Sequence, residues 1–233
     1  MVKRATPAQL AAGGSPLALR SVERALAPRY SAYVDEVQRL IRAGIAVMQR
    51  DETGNPRVSE IVEEAGLSNQ AFYRHFRSKD ELLLAIVEDG QRYLVGYLEH
   101  RMAKQSSGLA KVAQWVEGVM SQARDATAAS ATRGVARNRD RLRELFPEES
   151  HRLEQLIEAP LEAALALAAE QREIPPGDDA RDARAIFRLV IGAMEECVFD
   201  GDTPSREDVE HLVRFVDAAV RGGRARPGRA KRA

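Results

Sequence analysis

No stretch of this chain alternates apolar and polar residues with a period of two. After residue 30 its apolar residues recur instead at i, i+3 or i+4, and i+7. A strand turns alternate side chains to one face and a helix every third or fourth, so the pattern points to an all-α chain of about nine helices. Val34, Val37, Ile41, Ile45 and Met48 line one face of a helix that starts near Ser31. Gly54 and Pro56 break it. A short helix over Val58–Ala65 follows, then one from Ser68 to about Arg77, then a long one that carries Leu82, Leu83, Ile86, Leu94, Leu98 and Met102. Lys104–Gly108 is the first linker after that. Helical segments continue over Leu109–Ala123, Arg133–Leu145, Pro147–Glu173, Ala180–Val198 and 205–220, and Pro160 is expected to kink or split the third of these, in whose interior it lies. Ala, Leu, Glu and Arg, all good helix formers, are abundant, and aromatics are only 5%.

The formal net charge is zero, from 35 basic and 35 acidic residues, which excludes a uniformly basic nucleic-acid coat. The charge is nevertheless polarised: residues 1–30 carry +4, residues 221–233 carry +6, and 31–220 carry −10. Basic ends on an acidic body suit contacts with a polyanion, or serve simply as solvated tails. The expected organisation is a flexible basic arm over 1–30, a small helical domain over 31–82, a larger helical domain over 83–220 and a disordered basic tail over 221–233. One cysteine, Cys197, supports neither a disulfide framework nor a thiolate zinc site. The four histidines are scattered, so no metal and no cofactor is expected. No apolar run is long enough to span a bilayer, and no secretory leader is evident, so no membrane partner and a cytoplasmic location are expected.

The segment richest in information is RVSEIVEEAGLSNQAFYRHFRSKDEL, residues 57–82. Gly66 suits the left-handed position that ends a helix. Ser68 can cap the next helix, and Ser78-Lys79-Asp80-Glu81 reads as a capping box that opens the following one. Two short helices about a tight turn make a helix-turn-helix, whose second helix lies in the major groove with its first residues at the base edges. From Ser68 to Lys79 the sequence holds Arg74, Arg77, Lys79 and His75 and no acid. The amides of Asn69 and Gln70 can pair bidentately with adenine. Tyr73 and Lys79 can donate to phosphates, which fix position without reading sequence.

The string AGLSNQAFYRHFRSKDEL resembles the recognition region of TetR-type transcriptional regulators. The family pattern is an Ala-Gly-hydrophobic-Ser turn, a small residue, an aromatic and Tyr, then His or Tyr before Phe, then Ser or Asn, Lys and an acid. Ala65, Gly66, Leu67, Ser68, Ala71, Phe72, Tyr73, His75, Phe76, Ser78, Lys79 and Glu81 match it. The resemblance implies DNA-facing positions at Asn69, Gln70, Ala71, Tyr73, Arg74, His75 and Lys79. Arg57 and Ser59 at the start of the preceding helix, and Ser68 at the turn, complete the expected set. Arg57 departs from the family, which often has a capping Thr there, and Asp51-Glu52 lengthens the preceding loop.

Beyond residue 82 the resemblance implies only architecture: a long fourth helix, a divergent ligand domain and a dimer made by the last two helices. One short reading helix covers few base pairs, so a homodimer on a palindromic site is expected. Its surface is expected on Ile186, Phe187, Val190, Ile191 and Met194 of one helix and Val209, Leu212, Val213 and Val216 of the other, unless that stripe packs within one chain. The wall of an apolar effector pocket is expected at Leu94, Tyr97, Met102, Val112, Trp115, Val119 and Met120, although such a stripe is more often core than pocket. Arg133, Arg137, Arg139, Arg141 and Arg143 are either a solvated helix face or an anion site. No phosphate loop, nucleophile elbow or Cys–His pair appears, so an enzyme is not expected. The resulting expectation is a regulator that binds double-stranded DNA and is released by a small, largely apolar effector. The alternative is a protein-interaction module that uses the helix-turn-helix without DNA.

Overall fold

The computed structural model describes residues 16–50 and 55–224. Among the described residues it is all-helical: α1 (Pro16–Arg50), α2 (Val58–Ala65), α3 (Asn69–His75), α4 (Lys79–Met102), α5 (Gly108–Arg124), α6 (Ala126–Leu145), α7 (Pro147–Glu170), α8 (Asp179–Asp200) and α9 (Arg206–Gly222). Their starts are set by local chemistry. Ser107, Asp125, Asp178 and Ser205 each accept a backbone N–H three residues on, which satisfies an otherwise orphaned donor at the first turn of α5, α6, α8 and α9.

Two apolar clusters hold the helices together. The first gathers Leu40, Val47 and Met48 of α1, Ile61 and Val62 of α2, Phe72 of α3, Phe76, and Leu82, Leu83 and Ile86 of α4, and it takes Leu142 from α6. The second is built from α4, α5, α7, α8 and α9 around the fully buried Trp115, whose Nε1–H donates to the Ile157 carbonyl at 3.0 Å. Helix α4 enters both, with Ile86 in one and Leu98 in the other. At the close crossing of α5 and α7, a Cβ on Gly108 would lie 2.2 Å from the Ala168 backbone nitrogen, so only glycine fits.

Several expectations are corrected. Helix α1 begins at Pro16, not Ser31, so residues 16–30 are helix where a flexible arm was expected. Proline is tolerated in a first helical turn, and the Leu, Ala and Arg that follow favour continuation. Residues 1–15 of that arm, residues 51–54 of the lengthened loop and residues 225–233 of the tail lie outside the described residues. Pro160 sits inside α7 without dividing it. The start of the expected basic tail is ordered: α9 runs to Gly222, and the Arg224 side chain is buried, with Nε 2.7 Å from Asp182 and Nη2 2.7 Å from Asp179. The sequence hid this because both carboxylates stand on the first turn of α8, far away along the chain.

Candidate nucleic-acid interface

The turn between α2 and α3 is built as its residues require. Gly66 adopts φ 61°, ψ 38°, and the Leu67 N–H reaches back to the Val62 carbonyl at 2.8 Å. From α1, the Arg39 guanidinium donates to the carbonyls of Ala65 and Gly66 at 2.5 and 3.0 Å, so the C-terminus of α2 is tied to the long helix. The Ser68 hydroxyl accepts the Ala71 N–H at 3.1 Å. Ser78 accepts the Glu81 N–H at 3.1 Å, while the Glu81 carboxylate turns to the Arg77 N–H.

Phe72 and Phe76 anchor α3 in the first cluster. That leaves Asn69, Gln70, Tyr73 and Arg74 on its outer side and Arg77 just beyond its end, all exposed, with Tyr73 60% accessible. Arg57 and Ser59 at the start of α2 are also exposed. Arg57 has no acceptor to offer as a cap; its own N–H is instead accepted by the Glu60 carboxylate at 2.9 Å. Lys79 is half-buried, and its ammonium donates to the Asn55 side-chain oxygen.

Two of the expected contact residues turn inward. Ala71 is buried, with 3% of its surface accessible. His75 keeps only 9% of its side chain accessible, with Nε2 2.6 Å from a carboxylate oxygen of Glu36 on α1. The Tyr33 ring lies edge-on to it, with centroids 5.5 Å apart. The same Tyr33 ring underlies the Arg74 guanidinium at 5.8 Å, and Glu36 reaches Arg74 at 3.8 Å. The hydrogen bond from His75, aided by the charges of Arg74, His75 and Arg39 and opposed by desolvation, holds the Glu36 carboxyl below the usual range. Tyr33 and Glu36 were missed because nothing local in α1 marks them. Only the packing of α3 across α1 brings them to the reading helix.

The expected pocket wall is mostly packed as core, although Val112 also borders a cleft of about 220 Å³ lined by Leu109, Ala113, Val116, Val213 and Val216. Met102, Val112, Trp115, Val119 and Met120 are buried in the second cluster, with Leu94 and Tyr97 packed against it. Tyr97 is half-buried, and its hydroxyl accepts from Arg101 at 3.0 Å and lies 3.4 Å from the Ser121 hydroxyl. A cleft of about 300 Å³ opens beside it, lined by Arg101, Glu117, Ser121, Arg124, Arg206, Val209 and Glu210, and so is polar where an apolar pocket was expected.

The expected dimer stripe is likewise spent inside the chain. Ile186, Phe187, Val190, Ile191, Met194, Val209 and Val216 are core, and Leu212 and Val213 pack on it. The apolar side chains that α8 and α9 leave outside are Leu189 (41% exposed), Phe199 (46%) and Phe215 (55%). The α6 arginines form no open anion cradle: Arg133 donates to the Val198 carbonyl, and Arg139, Arg141 and Arg143 pair with Glu195, Asp80 and Glu154 on three different helices. No group of three His, Cys, Asp or Glu among the described residues is placed to hold a metal ion, and no described helix is long and apolar enough to cross a membrane.

Residues 40–86 match the family model described as bacterial regulatory proteins, tetR family. Over 76 residues the chain is 32% identical to YerO of Bacillus subtilis (strain 168), described as an uncharacterised HTH-type transcriptional regulator; the match takes in 33% of this chain and 25% of that relative. The chain thus spans about a quarter of the length of the curated relative it matches. Among solved structures it is similar to the transcriptional regulator FadR of Bacillus subtilis in complex with stearoyl-CoA, with a TM-score of 0.60 at 20% identity over 80% of this chain and 98% of that one. The fatty acid degradation regulator FadR of Bacillus halodurans gives 0.63 at 18%, over 81% and 95%. Reduced NemR of E. coli gives 0.61 at 17%, over 78% and 95%. At these identities the likeness is one of fold.

Proposed function

We propose that the chain, whose residues 40–86 match the tetR family model, is a TetR-type regulator that binds double-stranded DNA as a homodimer and acts as a repressor released by a small molecule. The observation that carries the reading is the division of α3. Its Phe72 side is sealed in the core, while Asn69, Gln70, Tyr73 and Arg74 stand outward and Arg77 is exposed just beyond its end. Asn69 and Gln70, at the N-terminal end, are the base readers, and the cations and the Tyr73 hydroxyl meet phosphates. Arg57, Ser59 and Lys79 flank them as phosphate contacts.

Two reading helices must address adjacent turns of the duplex, about 34–36 Å apart. The dimer surface that suits this is the outer side of α8 and α9, where Leu189, Phe199 and Phe215 are exposed and Gly192 leaves room for close approach. Ligand control rests on α4, which is shared by both cores, and on the Arg141–Asp80 pair, which ties α6 to the first turn of α4 at 2.9 Å. A small polar molecule in the cleft beside Arg101 would press on α4 directly. It releases DNA only to the extent that it prefers the non-binding arrangement.

The test is selection of bound duplex from a random library at fixed salt. An enriched inverted repeat supports the proposal. Binding without enrichment, or none, overturns it. On an enriched site, Gln70→Ala should relax discrimination at one base position per half-site by roughly 1–3 kcal/mol.

A further inference from the structure

The acid that faces the reading helix has no part in the function proposed above. Glu36 sits three residues after Tyr33 on α1, so both project on the side of α1 that α3 crosses. One Glu36 oxygen lies 2.6 Å from His75 Nε2 and 3.8 Å from Arg74 Nη1, and the Tyr33 ring contacts both partners. Glu36 keeps 22% of its side chain accessible and Arg74 keeps 45%. The charge therefore lies at the surface, where a phosphate would approach. The carboxyl is held below its usual range by the His75 hydrogen bond, so it is an anion at neutral pH.

We propose that Glu36 is a positioning residue that sets the specificity of α3: it fixes His75 and Arg74 over Tyr33 and offsets the Arg74 charge, so that the reading helix binds bulk duplex weakly. The inference rests on the DNA-binding reading above. Non-specific affinity comes from cations that displace counterions from phosphates, whereas discrimination comes from base-edge contacts. Glu36 stands against the C-terminal end of α3 and leaves Asn69 and Gln70 at the other end untouched. A carboxylate there subtracts from the non-specific term and not from the specific one. The ratio of the two rises as a result.

Glu36→Gln keeps the size and the acceptor oxygen for His75 and removes only the charge. Its affinity for a random duplex at low salt should rise severalfold, and its salt slope should steepen by about 0.9, the value of one added phosphate contact. Between 50 and 200 mM salt that slope corresponds to about 3.5-fold more affinity lost than in the unaltered protein. The ratio of selected site to random duplex should fall. In an Arg74→Gln background the same change should have a smaller effect, since its main beneficiary is gone. In the DNA-free protein, carbon-13 titration of the Glu36 carboxyl should show its midpoint rising in His75→Ala. An unaltered protein that binds duplex, with a Glu36→Gln slope and ratio equal to its own, overturns this inference alone. Failure of the unaltered protein to bind any duplex overturns the functional reading as well. An unmoved carboxyl midpoint refutes the contact itself.

Discussion

Trp115 decides whether the expected pocket is a pocket. It is fully buried, and its Nε1–H donates to the Ile157 carbonyl at 3.0 Å, three residues before the proline inside α7. Replacing a fully enclosed tryptophan by alanine removes its transfer energy and leaves a cavity, together about 3–5 kcal/mol. Taking the indole donor from the Ile157 carbonyl adds about 1 kcal/mol. For a chain of this length each kcal/mol moves Tm by about 2–4 °C, so Trp115→Ala should melt roughly 8–24 °C lower. Trp115→Phe keeps most of the apolar volume and should retain more than half of the lost stability. The assay is urea and thermal unfolding followed by far-ultraviolet circular dichroism at one protein concentration, because any self-association would make Tm concentration-dependent. A Trp115→Ala loss below about 2 kcal/mol would refute the reasoning, for it would mean that the indole already borders open space.

Three further outcomes follow from packing and charge. Gly108→Ala forces its Cβ to within 2.2 Å of the Ala168 backbone, so chemical denaturation should show a loss of about 1–3 kcal/mol or more. Leu189→Glu together with Phe215→Glu places charge on the exposed side of α8 and α9; sedimentation should find monomers with unchanged helix content, and an intact dimer would place the interface elsewhere. Burial raises the Glu195 carboxyl above its ordinary range despite its 2.6 Å pair with Arg139, so the folded state favours the protonated acid. The unfavourable contribution of Glu195 is then fully present above the folded value and is relieved as pH falls through it. Glu195→Gln should stabilise at neutral pH and lose that advantage in acid, as paired pH-dependent denaturation curves would show.

The amino-acid sequence alone determined most of the helices, the caps around the tight turn and the turn itself, while it hid the first fifteen residues of α1. Ser68 caps α3 and Ser78 caps α4 through bonds that span three residues, and Gly66 takes the left-handed conformation that its place between two helices demands. Such chemistry is complete within one turn of chain, so it is written locally. Tertiary structure decided what each stripe faces. An apolar period says that a helix side will be buried but not against what. The stripe from Ile186 to Val216 meets its own chain, and that from Leu94 to Met120 closes into core. Pairings of charge are just as silent in the sequence. Glu36 meets His75 39 residues away, and Arg224 meets Asp182 42 residues away, because the fold carries them there. No spacing rule reaches that far, since the separation along the chain of two groups on different helices is set by loop lengths and crossing geometry.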